Sequence, residues 1–291
     1  MAAIRERARA KVNLDLHVLG RRPDGYHTVD TLIAFTAFGD TVDMEPAPTL
    51  SLSLTGPFAA GLPVDDDNLV LKAARGLQSL AGIRAGASLR VAKNIPAAAG
   101  LGGGSADAGA ALRGLCRLWQ IAPPVTDLLA LAASLGADVP ACLGSQPVRG
   151  TGTGTDLAPL ALPSGVGFIL ANPRVSLPTA TVFRGLRAPF GAAPSPLVNG
   201  MDRHALMTAL ALRRNDLEVP AIAACPEIAD VLAALRALPA CLFARMSGSG
   251  ASCFGVFDSL PAAEAAAAAL AADRPAWWVQ ATALDSLGPA G

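Results

Sequence analysis

Two periodicities organise this chain. Near the N-terminus Val12, Leu14, Leu16 and Val18 alternate with Asn13, Asp15 and His17, the period-2 pattern of a strand with one apolar and one polar face. Lys11, Asn13, Asp15 and His17 share the polar face. Arg22-Pro-Asp-Gly25 then has turn chemistry, and after Tyr26-His27 a second apolar run over 29–38 completes a predicted hairpin. Asp65-Asp-Asp-Asn68 stands before Leu69, Val70, Leu71, Ala74 and Leu77, which predicts a capped helix start. Leu89 and Val91 alternate with Ser88 and Arg90 as a further strand. Leu112, Leu115, Cys116 and Trp119 return to helical spacing.

A third helix is predicted from near Thr126 through Leu128, Leu129 and Leu131 to Gly136, with Asp138 just past its stop. Gly150-Thr-Gly-Thr-Gly-Thr155 reads as a flexible, strand-poor stretch, so the division is expected there, between regions 1–155 and 156–291. The second region has strand-like runs over 166–171 and 253–257 and helices near 227–238 and 262–272, an α+β pattern. Residues 189–196 read as an exposed loop, and no repeat of solenoid period is present.

Between the strand around Leu89 and the helix around Leu112 lies Lys93-Asn-Ile-Pro-Ala-Ala-Ala-Gly-Leu-Gly-Gly-Gly-Ser-Ala-Asp107, with four glycines and a serine. A glycine-rich turn feeding a helix start presents backbone N–H groups and the positive end of the helix dipole to an anion. Glycine also lets phosphate oxygens approach where a Cβ would block them. A plain tight turn is the competing reading. The P-loop and dinucleotide fingerprints fit poorly; the adjoining Pro96, Leu101 and Ser105-Ala-Asp107 favour the phosphate cradle. A second glycine run, Met246-Ser-Gly-Ser-Gly-Ala-Ser252, precedes a strand-like run. The two runs either converge on one polyphosphate or serve separate regions, and spacing leaves both open.

Phosphoryl transfer needs backbone donors, a cation near the transferred group and something to handle the acceptor's hydroxyl proton. Lys11 and Asp138 are the available pair. On local signals Asp138 reads first as a helix N-cap and Lys11 as a solvated edge charge. Tyr26, the single tyrosine, follows a turn where its ring either stacks on a flat ligand or covers the core.

Composition narrows the classes. The 291 residues suit about two domains with a sizeable core. Lys plus Arg and Asp plus Glu are 23 each, so no bulk field recruits nucleic acid or an anionic membrane, and a small molecule is the expected partner. No apolar run of about 18 residues predicts a spanning helix. The N-terminus, with Arg5, Arg7, Arg9 and Lys11, lacks the apolar core of a secretory signal. Five scattered cysteines fit reduced thiols in a cytoplasm, and three dispersed histidines argue against a structural metal site.

Lys11-Val-Asn13, Pro96-x-x-x-Gly-Leu-Gly-Gly-Gly-Ser-Ala106 and Met246-Ser-Gly-Ser-Gly250 resemble, in order and spacing, the three motifs of the GHMP kinase superfamily. Gly20-Arg-Arg-Pro-Asp-Gly-Tyr-His27, Gly136-Ala-Asp-Val-Pro140 and Asn215-Asp-Leu-Glu218 extend the resemblance over most of the chain. It points to those members that phosphorylate the 2-hydroxyl of a cytidine-diphosphate-linked methylerythritol in the non-mevalonate isoprenoid pathway. The resemblance implies a ribosomal-S5 domain 2-like N-terminal domain that binds ATP and a ferredoxin-like C-terminal domain. It implies Asp138 as catalytic base with Lys11 as its charged partner. Pro96, Ala97, Ala98, Ala99, Gly100, Leu101, Gly102, Gly103, Gly104, Ser105 and Ala106 would wrap the ATP phosphates. Asn68 and Lys93 would lie near the nucleotide, and Ser105 on the side of the Mg2+ that arrives with ATP. Asn13, Tyr26 and His27 would face the acceptor, with Phe183 the second ring of a cytosine sandwich. An obligate protein partner is not implied. Homoserine or mevalonate kinases would share the phosphate loop but not these aromatics, and a catalytically silent binding protein would not need Lys11 and Asp138. Gly109 is odd, costing up to roughly 1 kcal/mol of helix propensity in the helix after the loop.

Overall fold

The computed structural model describes residues 3–285. The first half carries strands β1 (Ile4–Asn13), β2 (His17–Arg21), β3 (His27–Ala47), β4 (Leu50–Thr55), β5 (Gly86–Ala92) and β6 (Val148–Thr151). Its helices are α1 (Leu69–Ala81), α2 (Gly103–Leu118), α3 (Val125–Leu135) and α4 (Val139–Gly144). The second half carries β7 (Asp156–Pro159), β8 (Gly167–Asn172), β9 (Phe243–Met246), β10 (Cys253–Phe257) and β11 (Trp278–Asp285). Its helices are α5 (Thr179–Arg184), α6 (Arg203–Ala211), α7 (Glu218–Ala224), α8 (Glu227–Ala237) and α9 (Leu260–Asp273). The α+β class expected from the patterning is observed.

The long strand β3 is the spine. It pairs antiparallel with β1, β2, β5, β6 and, at Thr36 and Phe35, with β11. Strand β11 also pairs along β8, so one sheet runs β4-β5-β3-β11-β8-β10-β9 through both halves. Its second part, β11-β8-β10-β9 with α8 ahead of β9 and α9 ahead of β11, has the βαββαβ order of a ferredoxin-like unit. One core packs β1, β3 and β5 against α1, α2 and α4; a second packs β8 and β10 against α8 and α9. A third cluster, with Val12, Leu14, Leu101, Phe168, Phe254 and Trp278, joins them beneath the two glycine runs.

The predicted hairpin forms as β2 and β3, closed by Arg22 N–H to Tyr26 O at 2.8 Å. One expectation needs correction. The single strand over 12–18 is broken at 14–16, and both of its faces are buried: Lys11, Asn13, Asp15 and His17 are as hidden as Val12 and Leu14. The polar side points not to water but into the seam between the halves. The stretch 150–155 is strand-poor as expected: Gly150 and Thr151 end β6, and residues 152–155 form the turn into β7, with Thr151 opposite Asp156.

Candidate active site

Lys11 stands near the end of β1 just after a bulge in its pairing with β3. Its ammonium lies 2.9 Å from both Asp138 oxygens and 2.9 Å from Asn13 Oδ1. Its side chain is 5% exposed, while that of Asp138 is 41% exposed. The cation is thus fixed inside the protein and the carboxylate is open to a ligand. Asp138 occupies the N-cap position of α4, yet its side chain makes no capping bond. Residues sharing that position usually spend their oxygen on the helix; here both oxygens face Lys11.

What brings α4 so close is Gly109. A Cβ there would lie 2.7 Å from Cys142 C and 2.8 Å from Cys142 O, so only glycine lets α2 touch the α4 backbone. The helix propensity lost at this position is offset by the contact that seats Asp138.

The loop before α2 reaches left-handed backbone at Gly100 (φ 74°) and Gly102 (φ 63°). Gly102 lies against Lys11: a Cβ on it would come within 3.3 Å of Lys11 Cβ and Cε. The main chain is pinned there by Lys11 N–H to Leu101 O at 3.0 Å. No side chain caps α2 and no acidic residue stands in its first turn. The N-terminal end therefore keeps its N–H donors and dipole for an anion. Within the loop Pro96, Ala99, Leu101 and Ala106 are buried and Ala97, Ala98 and Gly104 exposed, with Gly103 and Ser105 between.

The two glycine runs converge. A Cβ on Gly100 would sit 2.6 Å from Gly250 O and 2.8 Å from Ser247 O. Ser247 Oγ donates to Gly100 O at 3.1 Å and accepts from Asn13 N–H at 3.1 Å, while Ser252 N–H donates to Ala99 O at 3.1 Å. Asn13 is also held through Nδ2 to Thr31 Oγ1 at 2.8 Å.

Lys93 is buried with its ammonium between Asp40 and Asp107. Burial alone would lower its pKa, but the two carboxylates outweigh it and raise it. Burial raises Asp107 against the pull of Lys93. This triad anchors the start of the loop, since Asp40 Oδ1 also accepts Ile95 N–H at 2.8 Å. Asn68 caps α1, accepting from Val70 N–H at 2.9 Å and donating to Pro63 O at 2.7 Å. The next residue, Leu69, reaches Gly104: its Cδ1 would lie 3.6 Å from a Cβ there.

Across the seam His27 packs on Phe183, ring centroids 5.1 Å apart at 32°, and edge-on to Phe190 at 5.9 Å. Burial, with Arg21 adding to it, lowers the His27 pKa. Tyr26 is 67% exposed and makes no ring contact among the described residues. Thr179, which opens the helix of Phe183, bonds Ser249 at 2.8 Å. Thr31 had no signal in the pattern, and Gly109 had only its oddity as a glycine within a helix, because each acts through space on a residue distant in sequence.

Residues 68–146 match the GHMP kinases N terminal domain family and residues 200–275 the GHMP kinases C terminal family. A protein of Paramagnetospirillum magneticum named 4-diphosphocytidyl-2-C-methyl-D-erythritol kinase is 51% identical over 94% of this chain and 95% of its own length. One of that name from Cereibacter sphaeroides is 54% identical over 94% and 96%. A crystal structure of 4-(cytidine 5'-diphospho)-2C-methyl-D-erythritol kinase superposes with TM-score 0.78 and 36% identity, covering 97% of this chain and 99% of that one. Homoserine kinase from Cytophaga hutchinsonii shares the fold at TM-score 0.74 and 20% identity over 100% and 97%.

Proposed function

From the premise that this chain belongs to the GHMP kinases, within the 4-diphosphocytidyl-2-C-methyl-D-erythritol kinase family, we propose that it transfers the γ-phosphoryl group of ATP to the 2-hydroxyl of that cytidine-diphosphate-linked alcohol. The observation that carries the chemistry is the Lys11–Asp138 pair beside the open end of α2. The phosphates lie against the first-turn N–H groups of Gly103, Gly104 and Ser105, within the loop 96–106. The acceptor's 2-hydroxyl lies at the exposed carboxylate of Asp138. Its oxygen bonds to the γ-phosphorus as the bond from that phosphorus to the β–γ bridging oxygen breaks, ADP leaves, and the proton passes to Asp138. Lys11 holds the carboxylate in place and supplies positive charge where it develops.

Mg2+ arrives with ATP in this reading. Among the described residues no cluster of three His, Cys, Asp or Glu is built to hold a metal. The donor available is the Ser105 hydroxyl, which suits a hard cation that keeps phosphate and water ligands. The ion would neutralise phosphate charge. Tyr26 and Phe183, with His27 behind Phe183, form the two sides of the cytosine pocket, and Asn13, its side chain bonded to Lys11 and Thr31, supports the acceptor side through Lys11. The partner is this small molecule and its compartment the cytoplasm, in keeping with five free cysteines.

Asp138→Asn tests the assignment. It is expected to bind ATP as the parent does and to lose at least roughly 100-fold in phosphoryl transfer, the low end of what a positioned general base contributes. Full turnover in that variant would remove Asp138 from the chemistry.

A further inference from the structure

A cavity of about 680 Å³ opens between the 211–219 segment, Arg236 of α8 and strand β9. That volume falls in the range of small-molecule sites, roughly 300–1,000 Å³. Neither the 96–106 loop, nor Lys11, Asp138, Tyr26, His27 or Phe183 lines it.

Its wall is cationic. Arg213, Arg214, Arg236 and Arg245 face Asp216 and Glu218. Arg214 bonds Asp216 at 2.5 Å, Arg213 is paired with the buried Asp15 at 2.7 Å, and Arg236 reaches Glu218 only at 3.9 Å. Arg245 differs from the others. It is 8% exposed, donates to the carbonyls of Leu14 at 2.9 Å, Leu210 at 3.0 Å and Arg213, and lies over the Phe243 ring at 4.5 Å. Among the described residues no carboxylate comes within ion-pair distance of it. Burial lowers its pKa to about 10, which still leaves it charged at neutral pH. Asp15 and Glu218 oppose that shift from beyond ion-pair distance and only in part, so the buried charge stays incompletely compensated and an anion in the adjoining space would relieve the cost. The lining also carries exposed apolar side chains: Val219 is 78% exposed and Leu242 43%. Charge in the wall and apolar surface at the mouth fit a ligand with both characters.

We propose that this cavity is a second ligand site, taking a small molecule with a phosphate group and a short apolar body. The phosphate lies toward Arg236 and Arg214, whose side chains are 56% and 44% exposed, with Arg245 behind. The apolar body lies on Val219 and Leu242. The site backs onto the second glycine run: Asn215, in the cavity wall, donates to Met246 O at 2.9 Å and Gly248 O at 2.8 Å.

Calorimetric titration of hexyl phosphate into the full chain held saturated with ADP is the test. ADP binding is measured first, so that a failed nucleotide site is told apart from a failed cavity. One hexyl phosphate per chain is expected, with affinity falling about ten-fold or more in Arg236→Gln while ADP affinity is kept. Leu242→Ser, which leaves every arginine in place, is expected to weaken binding in the same direction and covers the case in which the first variant does not fold. Absence of saturable heat with the ADP-loaded parent, or equal affinity in the folded variants, overturns the proposal.

Discussion

Lys11 is a buried ammonium with three oxygen partners, all within 2.9 Å, and its stem forms one wall of the glycine loop. Removing the charge unties Asp138 and Asn13 together, so Lys11→Met is expected to lower kcat by roughly 100-fold or more while ADP affinity changes little. Steady-state turnover beside ADP titration checks it; a kcat within a factor of two would leave the pair without a role. Tyr26 is the opposite kind of residue, exposed and without a ring partner. Tyr26→Ala is expected to raise the acceptor's KM by roughly 5- to 150-fold, the 1–3 kcal/mol that stacking of a base is worth, and to spare the KM of ATP. Equal effects on both would refute the cytosine platform. His17 is fully hidden, neither ring nitrogen has a hydrogen bond, and burial lowers its pKa. With the folded pKa below the unfolded one, the unfolded chain binds the extra proton. Stability is whole above about pH 6.5 and is lost as pH falls from there through the folded pKa. Asp107, raised by burial, tilts the other way, so the readout is a difference: urea midpoints at pH 8 and pH 5.5 should fall less in His17→Leu than in the parent. Equal falls would place the loss elsewhere.

Among the elements, α2 and α4 decide the geometry of the site. Propensity alone says that Gly109→Ala should stabilise α2 by up to roughly 1 kcal/mol. A Cβ 2.7 Å from the α4 backbone says the reverse, at the roughly 1–3 kcal/mol of an overpacked contact. Gly109→Ala is therefore expected to lower the melting temperature and, because α4 carries Asp138, to lower kcat as well; a higher melting temperature would contradict the packing argument. The same residue shows what patterning can and cannot give. Helix α2 was legible from Leu112 and Leu115, and α3, α8 and α9 lie within a few residues of expectation. The reason for its glycine was not, because it lies in Cys142, on another element. The strand over 12–18 misled for a related reason: alternation of polar and apolar residues records two environments, and here the polar one is a buried network of hydrogen bonds and ion pairs rather than water.

For the whole molecule, the sheet is continuous through β11 and the third core cluster belongs to both halves. Unfolding is therefore expected as one transition with matching calorimetric and van't Hoff enthalpies; two resolved transitions would mean that the halves are energetically separate. The meeting of the two glycine runs is a property of this scale. Spacing along the chain left it open, since Gly100 and Ser247 are 147 positions apart and only the shared core brings them to contact. The motifs themselves and the α+β class were legible, because each rests on local order of residue types, whereas Phe183 entered only through the resemblance, since nothing in its own surroundings marked it.

The most direct measurement is ADP release by the purified chain with Mg·ATP, run side by side with 4-diphosphocytidyl-2-C-methyl-D-erythritol, homoserine and mevalonate. Release with the cytidine-linked alcohol alone is predicted. Release with homoserine or mevalonate and none with the cytidine-linked alcohol would contradict the account.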